Sequence, residues 1–408
     1  MRLILVLNKK VKISNDLLHI VGGGINQVPL VKTAKKLGFR VLVTDMYPSP
    51  PCRDLADCFE QINTTDLTKT LACSKRYQID HITTDQTDVA VPTVAYIAEK
   101  LGLSGIGTDI AEIFTNKYNM RKALSKRLNH CIPDFKFFDS ADKAVNYFGR
   151  MNPDRQFIVK PVNSQGSKGV SILDSNIQSK IYNAYHESNN CGVILERFIT
   201  GSEYSVESFI QGDLVHNLYL VSKDHYRTNE CLDVRNTFFR DNTEPFKSEI
   251  FDLNEQIIKS LGLKMGNVHA EYKVQDNQIY LIEIAARGGG GGISGKIIPY
   301  LTGFDPLEAQ LKQLLGKLYD VEYKIYSNRY AILKFFDLPV GKIKSISNEN
   351  IHSDNLLEFN MNVTTDSVIK KPNSSNERVG YFIAVGNSKE EVLRIEKEVE
   401  NSIKVEYY

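Results

Sequence analysis

Between Leu17 and about Gly102, apolar runs alternate with helically spaced segments. "LLHIVGGG" is an apolar run ending in glycines, "NQVPLVKTAKKLGF" spaces its apolar positions as a helix does, and "RVLVTD" returns to a strand. The unit recurs through "DHITTD" and "VAVPTVAYIAEKLGL". Strands alternating with helices predict a parallel, helix-covered sheet.

The pattern changes past residue 109. Residues 109–128, "DIAEIFTNKYNMRKALSKRL", read as helical with a break at Asn116. Beyond them "FIVKP" and "VSILD" flank a glycine and serine loop, a helix runs through about Glu187, and "VILERFI", "YSVESFI" and "DLVHNLYLV" are successive strands. This α+β region with antiparallel pairing extends to the helix "DPLEAQLKQLLG". From Tyr330 onward short strands ("YAILKFF", "GYFIAVG") surround the polar "KKPNSSNE", and a helix closes the chain near Lys389 to Ile403. A chain of 408 residues is too long for one core. The expected division is an N-terminal α/β domain at 1–115, an α+β domain at 116–325 with a smaller lobe at about 125–200, and a small β-rich lobe at 326–408.

The most informative stretch is "VHAEYKVQDNQIYLIEIAARGGGGG", two alternating runs around a polar turn, closed by Arg287 and five glycines. A three-residue loop at 276–278 would pair Gln275 with Ile279 and set Glu271 opposite Glu283, with Cβ atoms ~5 Å apart. A plain two-residue turn would put the two on opposite faces, because a slip of one residue flips every side chain. Facing carboxylates repel unless a cation lies between them, so a metal site requires the odd-numbered loop or a bulge. The alternative is an edge hairpin whose two solvated glutamates are balanced by Lys273 and Arg287.

Composition narrows the partners. Fifty basic and forty-nine acidic residues leave a formal charge of +1, which gives no field to recruit nucleic acid or an anionic membrane. Six cysteines without a CxxC pair or zinc spacing suit free thiols in a reducing compartment. The start "MRLILVLNKKVKIS" has neither the charge order nor the apolar length of a signal peptide or membrane span, so a cytoplasmic location is expected.

Other segments carry chemistry only in combination. Lys160 ends a strand, and Ser164, Gly166, Ser167, Lys168 and Gly169 form a small-residue loop whose backbone N–H groups could approach a phosphate. "VILERFITGSEYSVESF" places Glu196 and Glu203 around an apolar hinge, where Phe198 and Ile199 offer contact to an adenine and a carboxylate accepts from ribose hydroxyls. Taken singly, Lys117 is a surface lysine, His269 a strand residue on the face of Glu271, and Glu203 a solvated turn residue.

The order of these features resembles the ATP-grasp superfamily over roughly Leu17 to the C-terminus. The resemblance implies ATP held between two lobes, phosphorylation of a carboxylate, and displacement of phosphate from the acyl phosphate by an amine. It further implies that Lys117 and Lys160 hold the ATP phosphates beneath the Ser164–Gly169 flap, that Glu196, Phe198 and Ile199 line the adenine, and that Glu203 binds the ribose. Glu271 and Glu283 would bind Mg²⁺, or Mn²⁺ in its place, and Arg287 the transferring phosphoryl group. Many such ligases carry asparagine two residues after the second glutamate; here that residue is Ala285, as in the similar "EIAAR" segment of the purine-pathway carboxylases.

Within the superfamily the N-terminal segment resembles the branch of carbamoyl-phosphate synthase and the purine enzymes, and the C-terminal lobe resembles the cap of bacterial amino-acid ligases. A carboxylate–amine ligase with small-molecule substrates, amino acids among them, is the expectation, with a purine-pathway-like carboxylase second. Homodimers are common in similar proteins. Arg235, His269, Gly289 and Gly290 are candidates for the substrate side, and Arg240 reads as surface charge. Two readings of other classes remain. Gly22, Gly24 and Asp45 have part of a dinucleotide-site pattern, but Gln27 stands where its third glycine belongs. A nonenzymatic nucleotide-binding scaffold would bind ATP and release no phosphate.

Overall fold

The computed structural model describes residues 15–151, 155–239, 246–316, 321–322, 325–348 and 355–408. The segment "MRLILVLNKKVKIS" and Arg240 lie outside them. Four strands form the first sheet: β1 (Leu17–Val21), β2 (Arg40–Asp45), β3 (Cys58–Gln61) and β4 (His81–Thr83), all parallel in the order β3-β2-β1-β4. Every residue of β1 is buried, as a central strand covered on both faces by helices requires. Helix Val28–Leu37 accepts Pro29 in its first turn and ends at Gly38 in the left-handed region. Asp45 does not await a ribose: its carboxylate accepts from the backbone N–H of Gly23 at 2.7 Å and of Tyr47 at 2.9 Å, closing the loop after β1 on itself.

The expected break at Asn116 is present. Helices Thr108–Thr115 and Lys117–Leu124 meet there, and the Asn116 side chain caps the second by accepting from Tyr118 and Asn119 N–H groups. A small lobe follows, with β5 (Phe135–Phe138), β6 (Phe157–Pro161), β7 (Ser171–Ile172) and β8 (Val193–Arg197) in the antiparallel order β5-β8-β6-β7. Phe148, Val159, Ile181 and Leu195 pack it against helices Ala141–Gly149 and Ile177–Glu187.

The largest sheet starts with β9 (Ser202–Gln211), β10 (Leu214–Tyr226), β11 (Asn229–Phe238), β12 (Met265–Gln275), β13 (Gln278–Ala285) and β14 (Tyr330–Phe335). The C-terminal region adds β15 (Gly341–Asn348), β16 (Leu356–Met361), β17 (Val368–Ile369), β18 (Gly380–Gly386) and β19 (Ile403–Tyr407). The expected small β-rich C-terminal lobe divides its strands between two sheets. β18 and β16 extend the large sheet in the order β13-β12-β9-β10-β11-β14-β18-β16, and β15, β17 and β19 form the small sheet. Hydrogen bonding of β14 to both β11 and β18 makes the join. The C-terminal strands can therefore supply side chains to the same cleft as the central ones.

Period 2 sorts the large sheet into a core face and a cleft face. Tyr204, Val206, Ala270 and Tyr272 turn to the core under helix Lys247–Leu261, with Ile250 and Ile257 among their neighbours. The alternate residues of β9 and β12, Glu203, Ser205, Glu207, His269, Glu271 and Lys273, line the opposite face. All six cysteines are free thiols. Among the described residues no helix is long and apolar enough to cross a membrane.

Candidate functional site

Register alone assembles the charged floor. Lys273 pairs across to Glu203 and Glu203 to Lys223, while Glu271 opposes Ser205 and His269 opposes Glu207. The Glu203 carboxylate faces the His225 ring at 3.0 Å and two cations, Lys223 at 3.4 Å and Lys273 at 3.5 Å. Lys223 also reaches Glu271 at 2.5 Å, and His269 Nε2 lies 3.3 Å from the same carboxylate. Burial would raise the Glu271 carboxyl, but Lys223 and then His269 hold it well below the usual range. Burial would likewise depress His269, yet the Glu207 carboxylate at 2.5 Å lifts it to about 9, so the ring is an imidazolium at neutral pH.

The hairpin does bring Glu271 and Glu283 face to face, by the second of the two routes geometry allows. The turn has two residues, Asp276 and Asn277, both with positive φ, and Gln275 pairs with Gln278. That turn by itself would set Ile282 opposite Glu271. A bulge between Glu271 and Tyr272 corrects it: Tyr272 pairs with Leu281 and Glu271 with Glu283, so Ile282 is the extra residue. The three-residue loop is thus replaced by a tight turn plus a bulge, and Ile282 is left to line a cavity wall. Glu283 is about one-third exposed and, among the described residues, pairs with one cation, Lys117 Nζ, at 2.8 Å.

Two cavities meet at this pair, since Glu271 and Glu283 line both. The first runs between the small lobe and the sheet, past Lys117, Lys160, Phe198, Ile199 and Glu203. Phe198 and Ile199 are buried there, and Lys273 stands 4.9 Å from the Phe198 ring centroid. Glu196 forms part of the wall but is fully enclosed, with Arg121 Nε and Lys160 Nζ each 2.7 Å away. Burial would raise its carboxyl; the two cations bring it down to about 2.

The small-residue loop covers this cavity as a closed flap. Ser164 O accepts from Lys117 Nζ at 2.7 Å, Ser167 Oγ donates to Cys231 O at 2.6 Å, and Gly166 O accepts from Ser375 N at 3.0 Å. Lys168 borders the second cavity rather than this one, and its Nζ pairs with Glu187 at 2.6 Å with more than half the side chain exposed. Gly169 packs against Glu187 and Pro161 at a positive φ of 75°, a position no larger residue fits without strain.

The second cavity is walled by all three regions: Gln86 and Asp88 from the first sheet's loop, Asn236, His269 and Arg287 from the centre, and Asn360, Arg378 and Tyr381 from the C-terminal strands. Arg287 makes a two-toothed pair with Asp88 at 2.9 Å for both contacts, and Arg378 is anchored by Asp233 while lying 3.6 Å from the Phe335 ring centroid. Ala285, in the place where an asparagine is common, lines this cavity with no polar atom to offer.

The four expected substrate-side residues fall in different places. His269 and Gly290 do line the second cavity. Arg235 does not: its guanidinium turns to the outer face and pairs with Glu396 at 2.7 and 3.0 Å, as strand alternation demands, and its neighbour Asn236 faces the cleft instead. Gly289 lies beneath the surface, donating its N–H to Glu207 at 3.1 Å, where a Cβ would come within 2.7 Å of that carboxylate. Sequence reading passed over Lys223, Arg121, Asp88 and Arg378, and gave Lys273 only as a balancing charge on the hairpin. Lys223 had a signal, a lone cation ending the apolar run "LVHNLYLVSK", and Asp88 another, its place just past the carboxyl end of a parallel strand.

Comparison with known proteins bears on the family and the fold. Residues 154–296 match the model of the ATP-grasp domain, and residues 334–408 that of the L-amino acid ligase C-terminal domain 2. The chain is 23% identical to a phosphoribosylamine–glycine ligase of Methanoregula boonei over 219 residues, covering 52% of this chain and 50% of that protein. It is 24% identical to an L-arginine-specific L-amino acid ligase of Bacillus subtilis over 234 residues, 53% of this chain and 54% of that one. The chain spans half or less of the length of the first curated relatives it matches. Among solved structures, the L-amino acid ligase of Bacillus licheniformis superimposes with a TM-score of 0.80 at 20% identity, over 97% of this chain and 99% of that one. The chain thus contains an ATP-grasp domain followed by an L-amino acid ligase C-terminal domain, and its fold is that of the ATP-grasp ligases.

Proposed function

We propose that the protein is an ATP-dependent carboxylate–amine ligase that joins amino acids through an acyl phosphate, releasing ADP and phosphate. The observation that carries this reading is the placement of Glu271 and Glu283 at the shared boundary of the two cavities. A nucleotide in the first cavity presents its terminal phosphate where a carboxylate in the second can attack it. The adenine packs on Phe198 and Ile199, Glu203 accepts from the ribose, and Lys117 and Lys160 take the phosphates under the flap.

No set of three or more His, Cys, Asp or Glu that could enclose a metal occurs among the described residues. A facing glutamate pair suits Mg²⁺ or Mn²⁺ nonetheless, because Mg²⁺ accepts one or two carboxylates and completes its shell with phosphate oxygens and water. Bound there, the cation neutralises charge that develops on the phosphates. Glu283 would exchange its contact to Lys117 for the cation, freeing the lysine for phosphate.

An oxygen of the substrate carboxylate attacks the γ-phosphorus, the bond to ADP breaks, and Arg287 stabilises the equatorial oxygens. The amine then attacks the acyl carbon, gives up a proton and expels phosphate. Acyl phosphates hydrolyse readily, so the closed flap preserves the intermediate. The L-amino acid ligase C-terminal match favours an amino-acid donor over a purine-pathway carboxylase. The test is a phosphate-release screen across acid and amine pairs with ATP and Mg²⁺. The expected result is ADP and phosphate with at least one amino-acid pair; AMP and pyrophosphate, or ATP bound without any phosphate released, would overturn the reading.

A further inference from the structure

Asp88 belongs to the first domain, yet it contacts the central domain and the flap at once. Its two carboxylate oxygens accept from Arg287 Nε and Nη2, both at 2.9 Å. Its backbone N–H donates to Gln165 Oε1, in the middle of the flap, at 2.6 Å. Both members of the ion pair are largely enclosed, with side-chain exposures of 16% for Arg287 and 14% for Asp88, and both line the second cavity beside Glu271 and Glu283. Three residues earlier, the fully buried Asp85 accepts from Gly288 N at 2.8 Å and Ser294 Oγ at 3.0 Å. The loop after β4 therefore grips the arginine at its tip and at the backbone next to it.

We propose that Asp88 is a positioning residue for Arg287, and that Gln165 links flap closure to this pair. The inference rests on the ligase reading above. A two-toothed carboxylate–guanidinium pair fixes the plane of the guanidinium as well as its position, which a single contact does not. With Nε and one Nη2 hydrogen engaged by Asp88, and Nη1 directed to Gly288 O at 3.1 Å, the remaining N–H groups are held in one orientation. Small displacements of such a group matter: a misplacement of ~1 Å can cost about 100-fold in rate. When the flap lifts, the Asp88 N–H loses Gln165 and the loop loses one of its tethers. Arg287 is then best ordered when water is excluded, the condition in which an acyl phosphate survives.

The substitution Asp88→Asn keeps size and turns one acceptor into a donor facing a guanidinium. The expected result is a kcat lower by about 10- to 100-fold with KM for ATP within about 3-fold of wild type. Asp88→Glu should recover part of kcat, since it restores the charge at an altered distance. Gln165→Ala should leave Arg287 in place but raise the ratio of phosphate released to amide formed. In amide hydrogen exchange it should also erase the slowing that ATP induces around residue 88 in the wild type. Should Asp88→Asn fail to fold, Gln165→Ala carries the test through both readouts. Wild-type kcat in Asp88→Asn, or an unchanged product ratio and unchanged exchange in Gln165→Ala, would overturn the inference alone. A wild-type protein that binds no ATP would remove the ligase reading and this inference with it.

Discussion

Glu196 and Glu283 lie in the wall of one cavity under opposite conditions. Glu196 is fully buried between Arg121 and Lys160, each at 2.7 Å. Glu283 is about one-third exposed, pairs with Lys117 at 2.8 Å and faces a second carboxylate across the strand pair. The first is a strut that binds helix Lys117–Leu124, β6 and β8 together, its charge balanced from within. The second has coordination capacity left over. The difference shows that a carboxylate's place in a cleft does not by itself assign its work; its exposure and the permanence of its partners enter as well.

The comparison breaks first at the strut. Glu196→Gln leaves Arg121, which is fully buried, without its anion, and should destabilise the protein by about 3–5 kcal/mol in denaturant unfolding. A change below ~1 kcal/mol would deny the strut role. Glu283→Gln should do the reverse, with turnover reduced ~100-fold or more and unfolding little altered. Lys160→Ala stands between the two, because Lys160 serves both the strut and the proposed phosphate site. It should weaken ATP binding by about 2 kcal/mol in calorimetry, and equal affinity would remove it from that site.

Acid and base separate the regions by smaller amounts. The Glu196 carboxyl is held at about 2 against 4.5 unfolded, so its contribution to stability is present above pH 4.5 and is lost as pH falls toward 2. His269 is raised from 6.5 to about 9, so its contribution is present below pH 6.5 and is lost as pH rises through 9. Stability measured from pH 6 to 10 should decline in the wild type and decline less in His269→Gln. Parallel curves would show that the imidazolium does not stabilise the fold.

Local patterns carried much of the layout. Alternating apolar runs marked the parallel sheet, a helix break was read at Asn116, and counting along the hairpin showed that Glu271 and Glu283 could face each other only through an odd loop or a bulge. Which of those two applies depends on how Ile282 packs, and no spacing rule expresses that. Asp88 and Arg287 are 199 residues apart, and their meeting depends on how the first domain docks on the second. The side of β11 that faces the cleft depends on the same docking, which is why Asn236 rather than Arg235 lines it. Joining of the C-terminal strands to the central sheet is equally nonlocal: "GYFIAVG" reads as a strand but names no partner.

The central claim is that the Glu271–Glu283 pair joins a nucleotide to a divalent cation at the boundary of two cavities. Calorimetric titration of ATP with and without Mg²⁺, in the wild type and in Glu271→Gln/Glu283→Gln, tests it directly. The account predicts binding strengthened by Mg²⁺ in the wild type, with that gain lost in the double variant. The same Mg²⁺ dependence in both proteins, or none in either, would contradict it.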